Sequence, residues 1–127
     1  MPPETTARLL ERFLGALAAD DQDALLALVS EDATLTSDGG GKVPATRRVV
    51  RGPSRIVRLL LGLRRKERGR ITHTLEWLNG EPAIVSRSPL GVFCTTSVAS
   101  DGARLTAFYR VLKHALLEEL RSAAADS

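Results

Sequence analysis

This sequence has few of the residues that form disulfides or bind metals. Its 127 residues include one cysteine, Cys94, and two histidines, His73 and His114, which lie far apart. A single cysteine excludes an intramolecular disulfide and a cysteine-based zinc knuckle, and the two histidines match no metal-ligand spacing. We therefore predict neither a metal nor a cofactor. For each histidine we predict either a buried structural role or an exposed position without a function.

Long apolar runs and common enzyme motifs are missing as well. No run approaches the roughly 20 residues that a membrane-spanning helix needs, and the N-terminus has no basic-then-apolar layout of a secretory signal. There is no Gly-x-Ser-x-Gly elbow and no dinucleotide-binding fingerprint after a strand. These absences predict a cytoplasmic protein that does not enter a membrane.

The net charge of +3 conceals an uneven distribution. Residues 1–41 hold eight acids and two bases, whereas residues 42–70 hold eleven bases and one acid. Within the basic segment we predict a basic surface that consists of Arg47, Arg48, Arg51, Arg55 and Arg58. A solvated face is the first interpretation of such a run, and contact with an acidic protein is the second. Direct DNA binding is not expected, because no aromatic residues are interleaved with the arginines for stacking on single strands, and no helix-turn-helix signature is present.

The hydrophobic periodicity changes halfway along the chain. A 3.6-residue period predicts helices over 4–19, 22–30 and from Gly52 onward, with a short strand at 33–37 and a basic loop at 64–70. Alternation then predicts four strands, at 71–77, 83–87, 92–99 and 104–112. Asn79-Gly80 indicates a type I′ hairpin turn, Asp101-Gly102 indicates a second tight turn, and residues 113–125 read as a helix.

This order of elements predicts an α+β fold in which a curved antiparallel sheet wraps around N-terminal helices as a cone. We expect a single domain over 1–127, with its core at about 8–112 and a helical tail at 113–127. The mouth of the cone would form a ligand pocket. Its predicted lining residues are Phe13, Leu17, Leu35, Trp77, Phe93 and Tyr109.

Three motifs carry a family resemblance: Asp38-Gly39-Gly40-Gly41-Lys42, the helix start Arg51-Gly52-x-x-Arg55 and the hairpin Asn79-Gly80-x-Pro82-Ala83. With the order of elements, they resemble the SnoaL-like domain of the nuclear transport factor 2-like superfamily. More narrowly, they resemble the C-terminal extension of extracytoplasmic-function sigma factors. In that group the glycine motif is implicated in regulating the sigma core. The resemblance therefore implies contact with sigma-factor core regions or the RNA polymerase complex.

The sequence departs from that family in two places. The sigma core regions, which bind polymerase and promoter, have no counterpart here, so the chain corresponds to an excised domain or to a stand-alone relative. The family's closing Asn-Pro-Asp-Lys-Leu is replaced by residues 113–117, Lys-His-Ala-Leu-Leu.

The glycine motif itself allows several interpretations. A Walker phosphate loop is excluded, because Thr36 and Val43 stand where that pattern needs glycine and Ser or Thr. Successive free amides beside Lys42 can form an anion-binding nest, and the glycines can simply turn the chain. The resemblance favours an interaction loop over residues 38–42.

Relatives of this fold include isomerases and cyclases, which use a pocket carboxylate as base and a nearby hydroxyl as oxyanion donor. Asp38 and Tyr109 are the residues that could take these roles here. Our first hypothesis is a non-catalytic regulatory domain that also holds a small apolar ligand. The alternative is a small-molecule isomerase, cyclase or hydratase. A homodimeric binding module is a third interpretation, because sheets of this fold commonly pair face to face.

Overall fold

The computed structural model describes residues 1–38 and 48–112. Within these residues the chain forms three helices and six strands. The helices are α1 (Pro3–Ala18), α2 (Gln22–Leu28) and α3 (Pro53–Glu67). The strands are β1 (Val29–Asp38), β2 (Arg48–Arg51), β3 (Thr72–Leu78), β4 (Glu81–Ser88), β5 (Gly91–Ser100) and β6 (Leu105–Leu112). Most of the glycine motif and the predicted C-terminal helix lie outside the described residues.

The first two helices begin and end where local chemistry predicts. Pro3 lies in the first turn of α1, where its missing N–H costs no hydrogen bond. After Ala18 the chain turns through Asp20, whose φ is 55°. Asp21 then caps α2, because its carboxylate accepts a hydrogen bond of 3.1 Å from the Ala24 N–H.

The six strands form one curved sheet in the order β2-β1-β6-β5-β4-β3. The antiparallel run predicted for the second half of the chain is confirmed over β3, β4, β5 and β6. Asn79 and Gly80 join β3 to β4 with φ values of 53° and 78°. Both values are positive, as a type I′ turn requires.

The pairings of β1 were not predicted. β6 lies parallel to β1, with Phe108 opposite Leu35, whereas β2 lies antiparallel on the other edge, with Val50 opposite Leu35. β2 escaped prediction because its four residues, two valines between two arginines, are too few to show a period. β1 also begins at Val29 rather than Ala33. The sheet is therefore mixed, and its parallel contact spans the long connection from β1 to β6.

α3 extends further than the sequence predicts. Residues 64–67, which were expected to lie in a basic loop, form its last turn. Arginine and lysine favour helix, and positive charges are stabilised at a helix C-terminus by the aligned peptide dipoles. The helix ends at Arg68, whose φ is 52°, and Gly69 follows with a φ of 74°.

The hydrophobic core lies between the helices and the face of the sheet that they cover, called the inner face below. The rings of Phe13 on α1 and Phe108 on β6 are in contact, with centroids 5.3 Å apart and planes inclined by 45°. Both residues are at most 1% exposed. Around them the core is formed by Leu10, Leu17, Leu25, Leu35, Ile56, Val57, Leu61, Ile84 and Leu105.

A charged network joins β3 to β4 on the opposite, outer face. Arg87 donates hydrogen bonds to both carboxylate oxygens of Glu76, with 3.0 Å between Nη2 and Oε1. The Thr74 hydroxyl donates to Glu76 Oε2 at 2.7 Å. These bonds, first that from Arg87 and then that from Thr74, lower the pKa of Glu76 from 4.5 to about 2.

We expect Phe108→Ala to lower the free energy of unfolding by about 3–5 kcal/mol, because it removes a buried ring and leaves a cavity. Urea denaturation followed by circular dichroism measures this loss. The control is Leu90→Ala, since Leu90 is 52% exposed, and we expect a change within about 0.5 kcal/mol. Similar losses in both variants would contradict the placement of Phe108 in the core.

The lowered pKa of Glu76 predicts how stability depends on pH. A carboxylate with a lowered folded pKa contributes stability that is present above its unfolded pKa and is lost as pH falls through the folded value. Glu76→Gln should therefore lower Tm near neutral pH, and the difference from the unaltered chain should shrink between pH 4.5 and about 2. Thermal unfolding over that range tests this, and a difference independent of pH would contradict it.

Candidate functional site

A small cavity lies between the inner face of the sheet and the helices α1 and α3. Its volume is about 40 Å³, which is room for roughly three water molecules at about 10–15 Å³ each. Part of its wall is apolar and comprises Phe13, Leu14, Leu17, Leu60, Leu63, Ile84 and Phe108. The cavity therefore borders directly on the contact between the two phenylalanine rings.

The rest of the wall is polar and comprises Arg64, Glu67, His73, Ser86, Thr96 and Arg110. Strand register explains how the last four meet. His73 pairs with Ser86, and Thr96 pairs with Arg110, and residues paired across two strands point to the same face. Ser86 and Arg110 each follow a core residue, Ile84 or Phe108, by two positions, so they share its inward direction.

A chain of hydrogen bonds runs from α3 across β3 to β4. Nε2 of His73 lies 2.7 Å from Oε1 of Glu67, and Nδ1 lies 2.7 Å from Oγ of Ser86. The side chains of His73 and Glu67 are 23% and 17% exposed, and Ser86 is 4% exposed. A neutral imidazole donates from Nε2 to Glu67 and accepts the Ser86 hydroxyl through Nδ1, whereas a protonated ring donates to both. In either state Glu67 and Ser86 fix the orientation of the ring.

Two arginines make the polar end of the cavity positive. Arg64 donates from Nη2 to the carbonyl of Ala18 at the end of α1, at 2.8 Å. The side chain of Arg110 makes no hydrogen bond or ion pair with any other described residue. The cavity wall thus contains two cationic side chains and one carboxylate, that of Glu67.

A wider groove of about 290 Å³ adjoins the polar end of the cavity at the C-terminus of α3. Arg64, Glu67 and His73 belong to the walls of both spaces. The groove adds Arg65, Arg68, Gly69 and Ile71. Arg65 also forms an exposed ion pair with Asp20, with 3.3 Å between Nη2 and Oδ1. The approach to the cavity is thus rich in positive charge.

Across residues 1–38 and 48–112, no three His, Cys, Asp or Glu side chains are grouped so that they could hold a metal ion. None of the helices described there is long and apolar enough to cross a bilayer.

The sequence and the structure are both similar to part of a sigma factor. No family model matches this chain. The chain is 39% identical over 62 residues to the ECF RNA polymerase sigma factor SigJ of Mycobacterium tuberculosis, a match that covers 49% of this chain and 20% of SigJ. The crystal structure of SigJ matches with a TM-score of 0.64 and 26% identity, over 82% of this chain and 40% of SigJ. The matching part is the SnoaL-containing C-terminal region, so this chain spans less than half of SigJ.

Two further solved structures match over nearly their whole length. A nuclear transport factor 2-like protein from Burkholderia xenovorans LB400 has a TM-score of 0.62 and 15% identity, over 94% of this chain and 97% of that one. A Shewanella putrefaciens CN-32 protein, provisionally assigned as a SnoaL-like polyketide cyclase, matches with a TM-score of 0.63 and 13% identity. This match covers 95% of this chain and 87% of that one. This chain has a SnoaL-like, nuclear transport factor 2-like fold. The resemblance drawn from its motifs is confirmed.

Two of the six predicted pocket residues, Phe13 and Leu17, line the cavity of this SnoaL-like fold. The other four do not. Leu35 is buried in the core, and Trp77 is 51% exposed near the end of β3. Phe93 lies at the irregularity in the β4–β5 pairing. Tyr109 follows the inward-facing Phe108 by one position, so its side chain points to the outer face.

Asp38 and Tyr109, the alternative catalytic pair, contact each other. The Tyr109 hydroxyl donates to Oδ2 of Asp38 at 3.4 Å. In the parallel register Tyr109 is opposite Thr36, and Asp38 lies two residues further along β1, so both share the outer face of the SnoaL-like sheet. The cavity is on the inner face, and neither side chain lines it.

The predicted interaction loop is described at one residue, Asp38. Gly39, Gly40, Gly41 and Lys42 lie outside the described residues, as does Arg47 of the predicted basic surface. Asp38 is the last described residue of β1, and the next described residue is Arg48, which pairs with Ser37. The basic surface is otherwise described, and its members Arg48, Arg51, Arg55 and Arg58 are all exposed. The role of the loop stays a prediction.

Sequence reasoning missed the polar residues of the cavity. The alternation of His73 with Thr72 and Thr74 already placed it on the same face as Leu75, which was the available signal. Glu67 could not be placed at the cavity, because residues 64–70 were predicted to form a loop rather than the end of α3. Ser86 and Arg110 belong to no motif, and only the register of neighbouring strands brings them to the cavity.

We expect Ser86→Ala to lower the free energy of unfolding by about 1–3 kcal/mol, because His73 Nδ1 loses its hydrogen-bond partner beside the core. Chemical denaturation measures the change. Ser97→Ala is the matched control, since Ser97 is exposed on β5, and its change should stay within about 0.5 kcal/mol. Equal effects in the two variants would show that the Ser86–His73 bond does not stabilise the fold.

Proposed function

We propose that this chain is a non-catalytic regulatory domain that modulates transcription initiation through contact with sigma-factor core regions or the RNA polymerase complex. The observation that carries this proposal is the likeness to the C-terminal region of SigJ, in both sequence and structure. SigJ is an RNA polymerase sigma factor, and a domain of this kind would act in the cytoplasm, where transcription takes place.

The distribution of charge around β2 and α3 supports contact with a protein. Arg51 ends β2, and Gly52, with a φ of 89°, leads directly into α3. Arg55 and Arg58 follow in the first two turns of that helix, and all three arginines are exposed. Exposed arginines on a regular framework suit an acidic protein surface, and such contacts mainly set the association rate and the partner.

The position of the polar residues favours a non-catalytic role over the isomerase or cyclase alternative. Enolisation needs a carboxylate base and a hydroxyl donor that face the same substrate. Asp38 and Tyr109 bond to each other on the outer face, at 3.4 Å, away from the cavity. The acid that does line the cavity, Glu67, is engaged by His73 at 2.7 Å.

The lining of the cavity also indicates which kind of small ligand it would hold. Its apolar wall is formed by α1, α3, β4 and β6, but six polar residues complete it. A ligand with one apolar end and one polar end suits this lining better than a hydrocarbon does.

The proposal is tested by titrating the purified chain with the core regions of the extracytoplasmic-function sigma factor from the same organism. We expect binding that weakens as salt rises. The triple variant R51Q/R55Q/R58Q should bind roughly tenfold more weakly, because each exposed ion pair adds a modest free energy. Gly40→Asp and Lys42→Ala test the loop in the same assay and in a transcription assay.

Arg104→Gln is the matched control, because Arg104 is exposed in the turn between β5 and β6, away from α3. It should bind like the unaltered chain. Absence of binding by the unaltered chain would overturn the proposal, and an unchanged affinity for Gly40→Asp and Lys42→Ala would remove the loop from it. Light scattering of the same samples reports whether the chain forms a homodimer.

A further inference from the structure

We propose that the cavity beneath α1 and α3 binds a small organic carboxylate, with its apolar end against Phe13 and Phe108 and its carboxylate between Arg64 and Arg110. This inference concerns a different surface from the proposed protein contact. The basic surface lies at β2 and the start of α3, whereas Arg64 and Arg110 lie on the last turn of α3 and on β6. The two proposals can therefore fail separately.

The excess of positive charge at the cavity favours an anionic ligand. Arg64 and Arg110 supply two positive charges against the one carboxylate of Glu67, and Glu67 is already hydrogen-bonded to His73 at 2.7 Å. The adjoining groove adds Arg65 and Arg68. Positive charge along a concave approach raises the local concentration of anions and their rate of entry.

Arg64 and Arg110 line the same cavity, and in the proposed complex they bind one head group. Arg64 uses Nη2 on the Ala18 carbonyl at 2.8 Å, which holds the side chain at the cavity while its other N–H groups stay available. Arg110 makes no side-chain hydrogen bond or ion pair with the rest of the described chain. A guanidinium presents a planar fork that matches the two oxygens of a carboxylate.

The other polar groups near the arginines are already hydrogen-bonded, so they compete little for the ligand. Ser86 and Glu67 hold the two nitrogens of His73, and among the described residues no buried side-chain nitrogen or oxygen lacks a partner. Thr96, paired with Arg110 on the neighbouring strand, places a hydroxyl in the same wall. The cations are thus the groups with hydrogen-bonding capacity to spare.

The size and apolar wall of the cavity decide what kind of carboxylate fits. About 40 Å³ is well below the roughly 150 Å³ of a cavity that accepts benzene. A chain of about three carbon atoms fills this space, as about three water molecules would, so the carboxylate lies at the open polar end of the cavity. Contact of the chain with Phe13, Leu17 and Phe108 favours it over a fully polar anion at about 0.8 kcal/mol per buried methylene. The wider groove of about 290 Å³ offers the route of entry.

The test is calorimetric titration of the full chain with sodium butanoate and, in parallel, with the neutral isostere butanamide. We expect butanoate to bind in the millimolar range, roughly tenfold more tightly than butanamide, because only the acid forms charge-assisted bonds to both arginines. Inorganic phosphate, an anion with no apolar end, should bind more weakly than butanoate.

Arg110→Gln should weaken butanoate binding roughly tenfold and leave butanamide unchanged. Arg64→Gln provides a second variant with the same expected result, should Arg110→Gln fail to fold. Arg104→Gln, remote from the cavity, is the matched control and should bind butanoate like the unaltered chain. Sigma-core binding by Arg110→Gln should be normal, which separates this proposal from the preceding one.

Three outcomes would overturn the inference. These are equal affinities for butanoate and butanamide, equal losses in Arg110→Gln and Arg104→Gln, and phosphate binding as tight as butanoate binding. The first would show that the charge of the ligand does not contribute to binding. The second would show that the cavity arginines do not contribute, and the third that the apolar wall does not.

Discussion

The parallel contact between β1 and β6 is the constraint on which the rest of this fold depends. It joins the first half of the chain to the antiparallel strands of the second half, and its register sets Leu35 opposite Phe108. That pairing directs Phe108 inward against Phe13 of α1. The same register sets the directions in which the next two side chains point, because side chains alternate along a strand. Tyr109 faces outward to Asp38, and Arg110 faces inward to the cavity.

Two clusters of positive charge follow from this architecture. The basic segment looks continuous in the sequence, but α3 divides it between its two ends. The first turns carry the exposed Arg55 and Arg58, next to β2, and support a protein partner. The last turn carries Arg64, which with Arg110 makes the polar end of the cavity positive. The positive charge of the basic segment therefore belongs to two separate surfaces, one at the start of α3 and one at the cavity.

Much of the architecture could be predicted from local patterns. The apolar stripe of α1 and the alternation in β3 identified their elements, and Asn79-Gly80 identified its turn, because each depends on near neighbours in the chain. β2 and the last turn of α3 could not be predicted in the same way. β2 forms by pairing with β1 and is too short to show a period in the sequence. Residues 64–67 contain no apolar residue, so the hydrophobic period that predicts α3 stops before its last turn.

The sequence by itself determined the fold class, the order of helices and strands, and the resemblance to sigma-factor domains, since these are written in periodicity and short motifs. The burial of Phe13 and Leu17 could also be predicted, because both lie on the apolar stripe of the first helix. Only the tertiary structure decided which polar residues meet in the cavity. Glu67, His73, Ser86 and Arg110 come from four separate elements. Their meeting depends on strand register, in which a shift of one residue turns every side chain to the other face.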